Sequence, residues 1–207
     1  MLRFWSYWMG ATVLGFVGGF AGGFLTIGLI TGDEGPEAFG VPFEVAFPIL
    51  LGLASALMAT LQWLVIRRRR PSLARWIPAT ALSVLAGIAL LVVFETVIGR
   101  PATIAASTLS GALHGLAVGA IVGTAQWFVI RDFDPSRRWI KAHLLAVPTA
   151  AVVGDIVGFY GTGGIGTIVI FVMWQALVAP TLYSLLTSKP ADEEVRPAPA
   201  PASEARG

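Results

Sequence analysis

Six long apolar stretches constrain the fold of this chain more than any other feature of its sequence. A stretch of about 20 apolar residues is long enough to cross the hydrocarbon core of a bilayer as an α-helix. The stretches are too long and unbroken for the alternating strands of a membrane barrel. We therefore expect an all-α, polytopic membrane protein, with a six-helix transmembrane bundle over residues 1–187. The expected spans are 8–30, 43–66, 76–98, 107–130, 141–160 and 165–186.

Composition agrees with a membrane protein and removes several classes of function. Only 13% of the residues are charged, about half the share in ordinary soluble domains. Cysteine is absent, which excludes disulfides, thiolate metal sites and cysteine nucleophiles. Residues 161–166 fit G-x-G-x-x-G, but no strand precedes them, so a dinucleotide site is not expected. We find no metal-ligand spacing, and we predict a protein that is not an enzyme and has no cofactor.

One hexapeptide occurs twice and divides the chain into similar units. Gln-Trp-Leu-Val-Ile-Arg at 62–67 returns as Gln-Trp-Phe-Val-Ile-Arg at 126–131, and Arg-Trp-Ile opens the next stretch each time. The echo of Trp8-x-x-Ala-Thr at Trp76 suggests that the first hairpin belongs to the same series. We interpret this as an internal repeat of helical hairpins, related by an axis along the membrane normal.

This pattern resembles a group of uncharacterised bacterial multi-pass membrane proteins with tandem Gln-Trp-(apolar)3-Arg hairpin repeats. The resemblance extends over residues 1–187 and implies a membrane fold. It implies no activity.

Basic residues predict the orientation of the bundle. Two clusters follow the second and fourth stretches, which places both loops and both termini in the cytoplasm by the positive-inside rule. A bacterial plasma (inner) membrane is the expected location. The tail over 188–207 is rich in proline, alanine and charge, so we expect it to be disordered and cytoplasmic. No nucleic-acid partner is expected. The topology residues are Arg67, Arg68, Arg69, Arg70, Arg131, Arg137 and Arg138.

Two stretches carry glycines spaced four residues apart, which lets another helix approach closely. We expect these faces to pack helices within the bundle, or against a partner membrane protein or a second copy. The helix-packing glycines are Gly15, Gly19 and Gly23 in the first stretch, and Gly111, Gly115, Gly119 and Gly123 in the fourth.

Four polar residues within the stretches are candidate binding residues. His114 and Asp155 are ionisable groups, which are costly inside a bilayer and often functional. Both lie about 20–25 Å from the basic loops, so we hypothesise that they face each other across the fourth and fifth helices. Gln62 and Gln126 lie one turn inside those loops. They are expected either to bond across helices or to line a mouth for a polar solute.

His114 admits two further interpretations. With Ser110 and glycines beside it, it could ligate a tetrapyrrole, as the histidines of antenna-type helices do. The segment from Ser110 to Leu116 is also similar to the serine-bearing span of rhomboid proteases. That family takes its base histidine from the sixth span, which has none here. An inactive, rhomboid-like protein is the most that this similarity implies.

The sequence therefore favours a structural or interaction protein, such as an accessory or assembly subunit. The alternative is a small-solute transporter or channel with Gln62, Gln126, His114 and Asp155 along its path. Small faces pointing out of the bundle would favour the first function. Polar residues converging on a central cavity would favour the second.

Overall fold

The computed structural model describes residues 1–31, 43–98, 103–132, 135–160 and 163–187. These residues are almost entirely helical and contain no strand, which confirms the predicted all-α class. The predicted disordered tail, 188–207, lies outside them. The helices are α1 (Leu2–Thr12), α2 (Gly18–Thr31), α3 (Phe43–Ile66), α4 (Trp76–Ile98), α5 (Ile104–Ile130), α6 (Arg138–Tyr160) and α7 (Gly163–Thr187), with a π-helical turn at Val13–Val17 and a 3₁₀ turn at Leu73–Arg75.

Five helices in the described part of the chain, α3 to α7, are long and apolar enough to cross a membrane. This confirms a polytopic protein whose surroundings are a lipid bilayer. The first apolar stretch is helical from Leu2 to Thr31, but the π turn divides it into two shorter α-helices. Helix α1 begins six residues before the expected span, and Phe4 and Trp8 are buried on one side of it.

The helices form a closed ring in chain order. Each of α3 to α7 packs against its neighbours in the sequence, and α1 packs against both α3 and α7. Because consecutive helices are antiparallel, the two clusters of arginines lie at one end of the ring, which we call the basic end. The other end, where α5 and α7 begin and α6 terminates, is the opposite end.

Glycines of the first stretch let the π-helical turn and α2 lie directly on α3. A Cβ on Gly15 would overlap the backbone of Met58, and one on Gly19 would lie 2.9 Å from Cα of Ala54. Real Cβ atoms do not approach so closely. Only hydrogen fits at these positions, so the interface requires glycine.

The glycine ladder of α5 makes a similar interface with α6. A Cβ on Gly115 would lie 2.6 Å from Cα of Pro148, and one on Gly119 would lie 2.7 Å from the carbonyl oxygen of His143. Gly123 lies against the same histidine. Both predicted glycine faces are therefore occupied inside the ring.

A second glycine face of α2 is not covered. A Cβ on Gly18 or Gly22 would meet nothing within 4 Å, and Ala21 between them is exposed. The first apolar stretch thus has one small face against α3 and another on the outside of the ring.

Candidate functional site

Three tryptophans fill the centre of the ring near its basic end. Trp8, Trp76 and Trp139 lie near or at the starts of α1, α4 and α6, and all three are fully buried. The ring centroids are 6.1 Å apart for Trp8 and Trp76 and 5.8 Å apart for Trp76 and Trp139. Since these helices alternate around the ring, the contacts cross its centre and close it with aromatic surface.

One helical turn farther from the basic end, each of these helices presents a polar residue. Thr12, Thr80 and His143 follow the three tryptophans by four positions, which places them on the same face of their helices. All three are fully buried.

Two glutamines connect this level across helices. Nε2 of Gln62 donates to Oγ1 of Thr12 at 3.1 Å and to Oε1 of Gln175 at 3.0 Å. Nε2 of Gln126 donates to Oγ1 of Thr80 at 2.8 Å, and its Oε1 accepts from Nε1 of Trp139 at 3.1 Å. These bonds join α3 to α1 and α7, and α5 to α4 and α6. Both glutamines bond across helices, the first of the two roles considered from the sequence.

His143 has a defined tautomer. Its Nδ1 lies 3.1 Å from the carbonyl oxygen of Trp139. Because a carbonyl only accepts, Nδ1 carries the hydrogen and Nε2 of the neutral ring is an acceptor. The imidazole lies between two indoles, with centroid distances of 4.5 Å to Trp139 and 5.6 Å to Trp174.

Several buried polar atoms at this level have no hydrogen-bond partner among the described residues. An unpaired buried group costs about 1–3 kcal/mol, and native interiors contain few of them. Water or another polar group would satisfy these donors and acceptors. The donors are Nε1 of Trp8, Trp76 and Trp174, and the acceptors are Oε1 of Gln62 and Nε2 of His143.

A second aromatic level lies on the other side of these polar groups. Phe16, one turn beyond Thr12, stacks on Phe171 with ring centroids 3.7 Å apart. Phe171 precedes Gln175 by one turn of α7 and also contacts Trp174. We call the polar groups between the tryptophans and these phenylalanines the polar layer: Thr12, Gln62, Thr80, Gln126, His143 and Gln175.

Asp155 contacts α5 at Gly111, three residues before His114. The carboxylate of Asp155 lies against Gly111 and lines a cleft with Ser107. His114 does not line that cleft, and its buried Nδ1 has no hydrogen-bond partner among the described residues. Counting residues gave similar depths, but each residue also turns a helix by about 100°. Gly111 and Gly115 face α6, and His114 points to one side of that contact.

The glycines beside His114 also leave no flat open surface. Gly115 is covered by Pro148, and Gly111 is covered by Asp155. Helix α6 occupies the space beside both of these glycines. No group of three or more metal-ligating His, Cys, Asp or Glu side chains occurs among the described residues.

Sequence reasoning identified Gln62 and Gln126 but missed most of the polar layer. The sequence pattern marks Thr12 and Thr80 only as part of an echo. A usable signal was present, since Trp-x-x-x-Thr occurs twice and Trp139-x-x-x-His143 has the same spacing.

No protein-family model matches the chain, and no curated protein or solved structure is detectably similar to it. The function must therefore be argued from the geometry.

Proposed function

We propose that this protein moves a small polar solute across the membrane, with the polar layer as the compartment that holds it. The observation that carries the proposal is the enclosure of unpaired donors and acceptors between two aromatic levels. Trp8, Trp76 and Trp139 lie on one side, and Phe16 and Phe171 on the other. Polar groups at the centre of a bundle, screened from both ends, are expected of an occluded carrier.

The chemistry of the layer suggests the kind of solute. Indole N–H groups donate, while Gln62 Oε1 and His143 Nε2 accept. A solute with hydroxyl, amide or amine groups could satisfy both sets at once. The six residues of the layer include no carboxylate or guanidinium, so recognition within it rests on hydrogen bonds.

Related positions support a repeat as the basis of the carrier. Thr12 bonds to Gln62 in one hairpin, and Thr80 bonds to Gln126 in the next. We propose that both hairpins are copies of one unit around a common axis. The third, from α6 and α7, would contribute His143 and Gln175.

We further propose that the basic end is cytoplasmic in a bacterial plasma membrane. Exposed Arg67, Arg68 and Arg69 follow α3 directly, and the positive-inside rule favours the cytoplasm for such a cluster. Arg67 lies over Trp63, and Arg137 over Trp127, at 5.3 and 5.7 Å from the ring centroids. Such pairs are suited to the interfacial belt, where an aromatic ring and a charge both have favourable surroundings.

Swelling of proteoliposomes tests the transport proposal. Vesicles with the protein are mixed with hyperosmotic glycerol, urea or ethanolamine hydrochloride, and the recovery of volume is followed by light scattering. We expect faster recovery for at least one solute than in protein-free vesicles. His143→Leu should abolish the gain, and Asp132→Asn, an exposed change at the basic end, should retain it. Equal rates with and without protein for every solute would refute the proposal.

The outward glycines favour a second candidate, an accessory or assembly subunit. Gly18 and Gly22 give α2 a small-residue face that no described residue covers, as a helix of another membrane protein or a second copy would require. Extraction in mild detergent should then recover a partner or a homo-oligomer at fixed stoichiometry, and Gly22→Leu should release it. A monomer recovered alone would refute this candidate, and an absorption spectrum of the same sample would reveal any bound tetrapyrrole.

A further inference from the structure

A cleft opens between α5, α6 and α7 close to the opposite end of the bundle. Its volume is about 280 Å³, and it is lined by Ser107, Gly154, Asp155, Gly158, Gly166, Thr167 and Ile170. Ser107 lies three residues after the start of α5, and Asp155 five residues before the end of α6. The cleft therefore lies about 5–8 Å inside the helix ends, within reach of the aqueous phase.

We propose that this cleft binds a small organic ammonium ion, with Asp155 as its counter-ion. A carboxylate inside a membrane bundle is costly and is retained where it binds or conducts. Its two oxygens offer about four acceptor positions, so it can hold a ligand while keeping contacts within the protein. Hydroxyls of Ser107 and Thr167 line the same cleft and can accept further N–H bonds.

The charge of the cleft favours a cation. Asp155 is the one ionisable side chain among the residues that line it. Helices α5 and α7 begin near the cleft and α6 ends near it, so their dipoles together give about half a positive charge, less than the carboxylate supplies. The net charge of these groups attracts cations from solution.

The size and lining favour an organic cation over a bare metal ion. Water takes about 30 Å³ in the liquid, so the cleft has the volume of about nine water molecules. A bare alkali ion would fill a small part of it. The lining includes Gly154, Gly158, Gly166 and the apolar Ile170, and these residues suit a few carbon atoms beside a charged head.

Binding is measured on the purified full chain in detergent, by equilibrium dialysis with radiolabelled ethanolammonium. We expect saturable binding, weakened about tenfold or more by Asp155→Asn because a charge-assisted bond is lost. Asp132→Asn is the matched control, since that side chain is 91% exposed at the basic end, and its affinity should stay within twofold. Ethylene glycol, the neutral analogue of the probe, should not compete.

A second variant keeps the proposal testable if Asp155→Asn does not fold. Thr167→Lys retains the carboxylate and places a tethered ammonium in the cleft, so it should fold and should lose binding of the probe. Unchanged binding in Thr167→Lys, or in a folded Asp155→Asn, would overturn the proposal. Equal displacement by sodium ions at the probe's own concentration would do so as well, because it would identify an alkali-ion site.

Binding of an ammonium ion in the cleft rests on the proposed transport function only for the movement of the ion after it has bound. Different results would therefore refute the two proposals. Binding of ethanolammonium without flux in proteoliposomes would support the cleft and refute transport. Flux of glycerol or urea with no ethanolammonium binding would support transport and refute the cleft.

Discussion

Replacing single glycines of the first apolar stretch by alanine tests the packing of the ring. Gly15 and Gly19 face α3, whereas Gly18 and Gly22 lie on the same stretch and face outward. Alanine at Gly15 would place Cβ 2.8 Å from the backbone nitrogen of Met58. A side chain could rotate away, but a backbone atom cannot, so the two helices must separate.

The structure indicates the size of the effect. Overpacking a close interface costs about 1–3 kcal/mol, while alanine in place of glycine favours a helix by about 0.5–1 kcal/mol. Gly18→Ala has only the favourable helix contribution, whereas Gly15→Ala has that contribution and the cost of overpacking. The difference between these variants cancels the helix term, so Gly15→Ala should be less stable than Gly18→Ala by about 1–3 kcal/mol.

Reversible unfolding in mixed micelles, by titration with dodecyl sulfate, measures this difference through tryptophan fluorescence. Gly19→Ala should resemble Gly15→Ala, because its Cβ also meets backbone. Gly23→Ala should be milder, since the atom in its way is the end of the Leu50 side chain, 2.6 Å from the added Cβ. Equal stabilities for Gly15→Ala and Gly18→Ala would refute the close approach of α1 and α2 to α3.

Three further predictions concern the polar layer and its boundary. Gln126→Leu should lower the free energy of unfolding by about 1–3 kcal/mol, for two interhelical bonds of about 0.6–1.7 kcal/mol each. In a double-mutant cycle with Thr80→Val, it should show coupling, whereas additive effects would contradict the bond. His143→Leu should change the free energy of unfolding by less than about 1.5 kcal/mol, because the hydrogen bond of His143 to Trp139 is within its own helix. The same variant should abolish solute flux. Retained flux would show that this residue is not needed for transport. Phe16→Ala removes the stack on Phe171, so it should lower the free energy of unfolding by about 3–5 kcal/mol. It should also raise the passive leak of glycerol through proteoliposomes. An unchanged leak would show that this aromatic level is not a barrier.

Apolar length was enough to predict the class and the approximate helices of this chain. Helix α3 covers 43–66 and α4 covers 76–98, the same ranges as the expected spans. The π turn at Val13–Val17 has no counterpart in the pattern, because it depends on how the stretch packs. Gly15 within it lies directly against Met58 on α3.

Rotation about the helix axis explains why the sequence predicts some features of the candidate site and not others. Counting residues gives an expected depth for Asp155, but it does not give its neighbour on α5. The structure places Asp155 against Gly111, which is three positions before His114. Counting residues along the chain gives no information about this rotation. Gln62 and Gln126 were identified because a repeat marked them, and repetition does not depend on knowing the rotation.

The balance of hydrogen bonds distinguishes a structural role for the polar layer from a functional one. A network that served only to hold helices together would pair its own groups, as Gln126 does with Thr80 and Trp139. Five other buried atoms of the layer and its tryptophans have no partner among the described residues. At about 1–3 kcal/mol each they would cost about 5–15 kcal/mol, as much as the whole free energy of unfolding of a typical protein. Apolar residues of similar size at Gln62 and His143 would avoid part of that cost. Because the stability of the ring does not account for polar groups at these positions, we propose that a bound solute or water satisfies them.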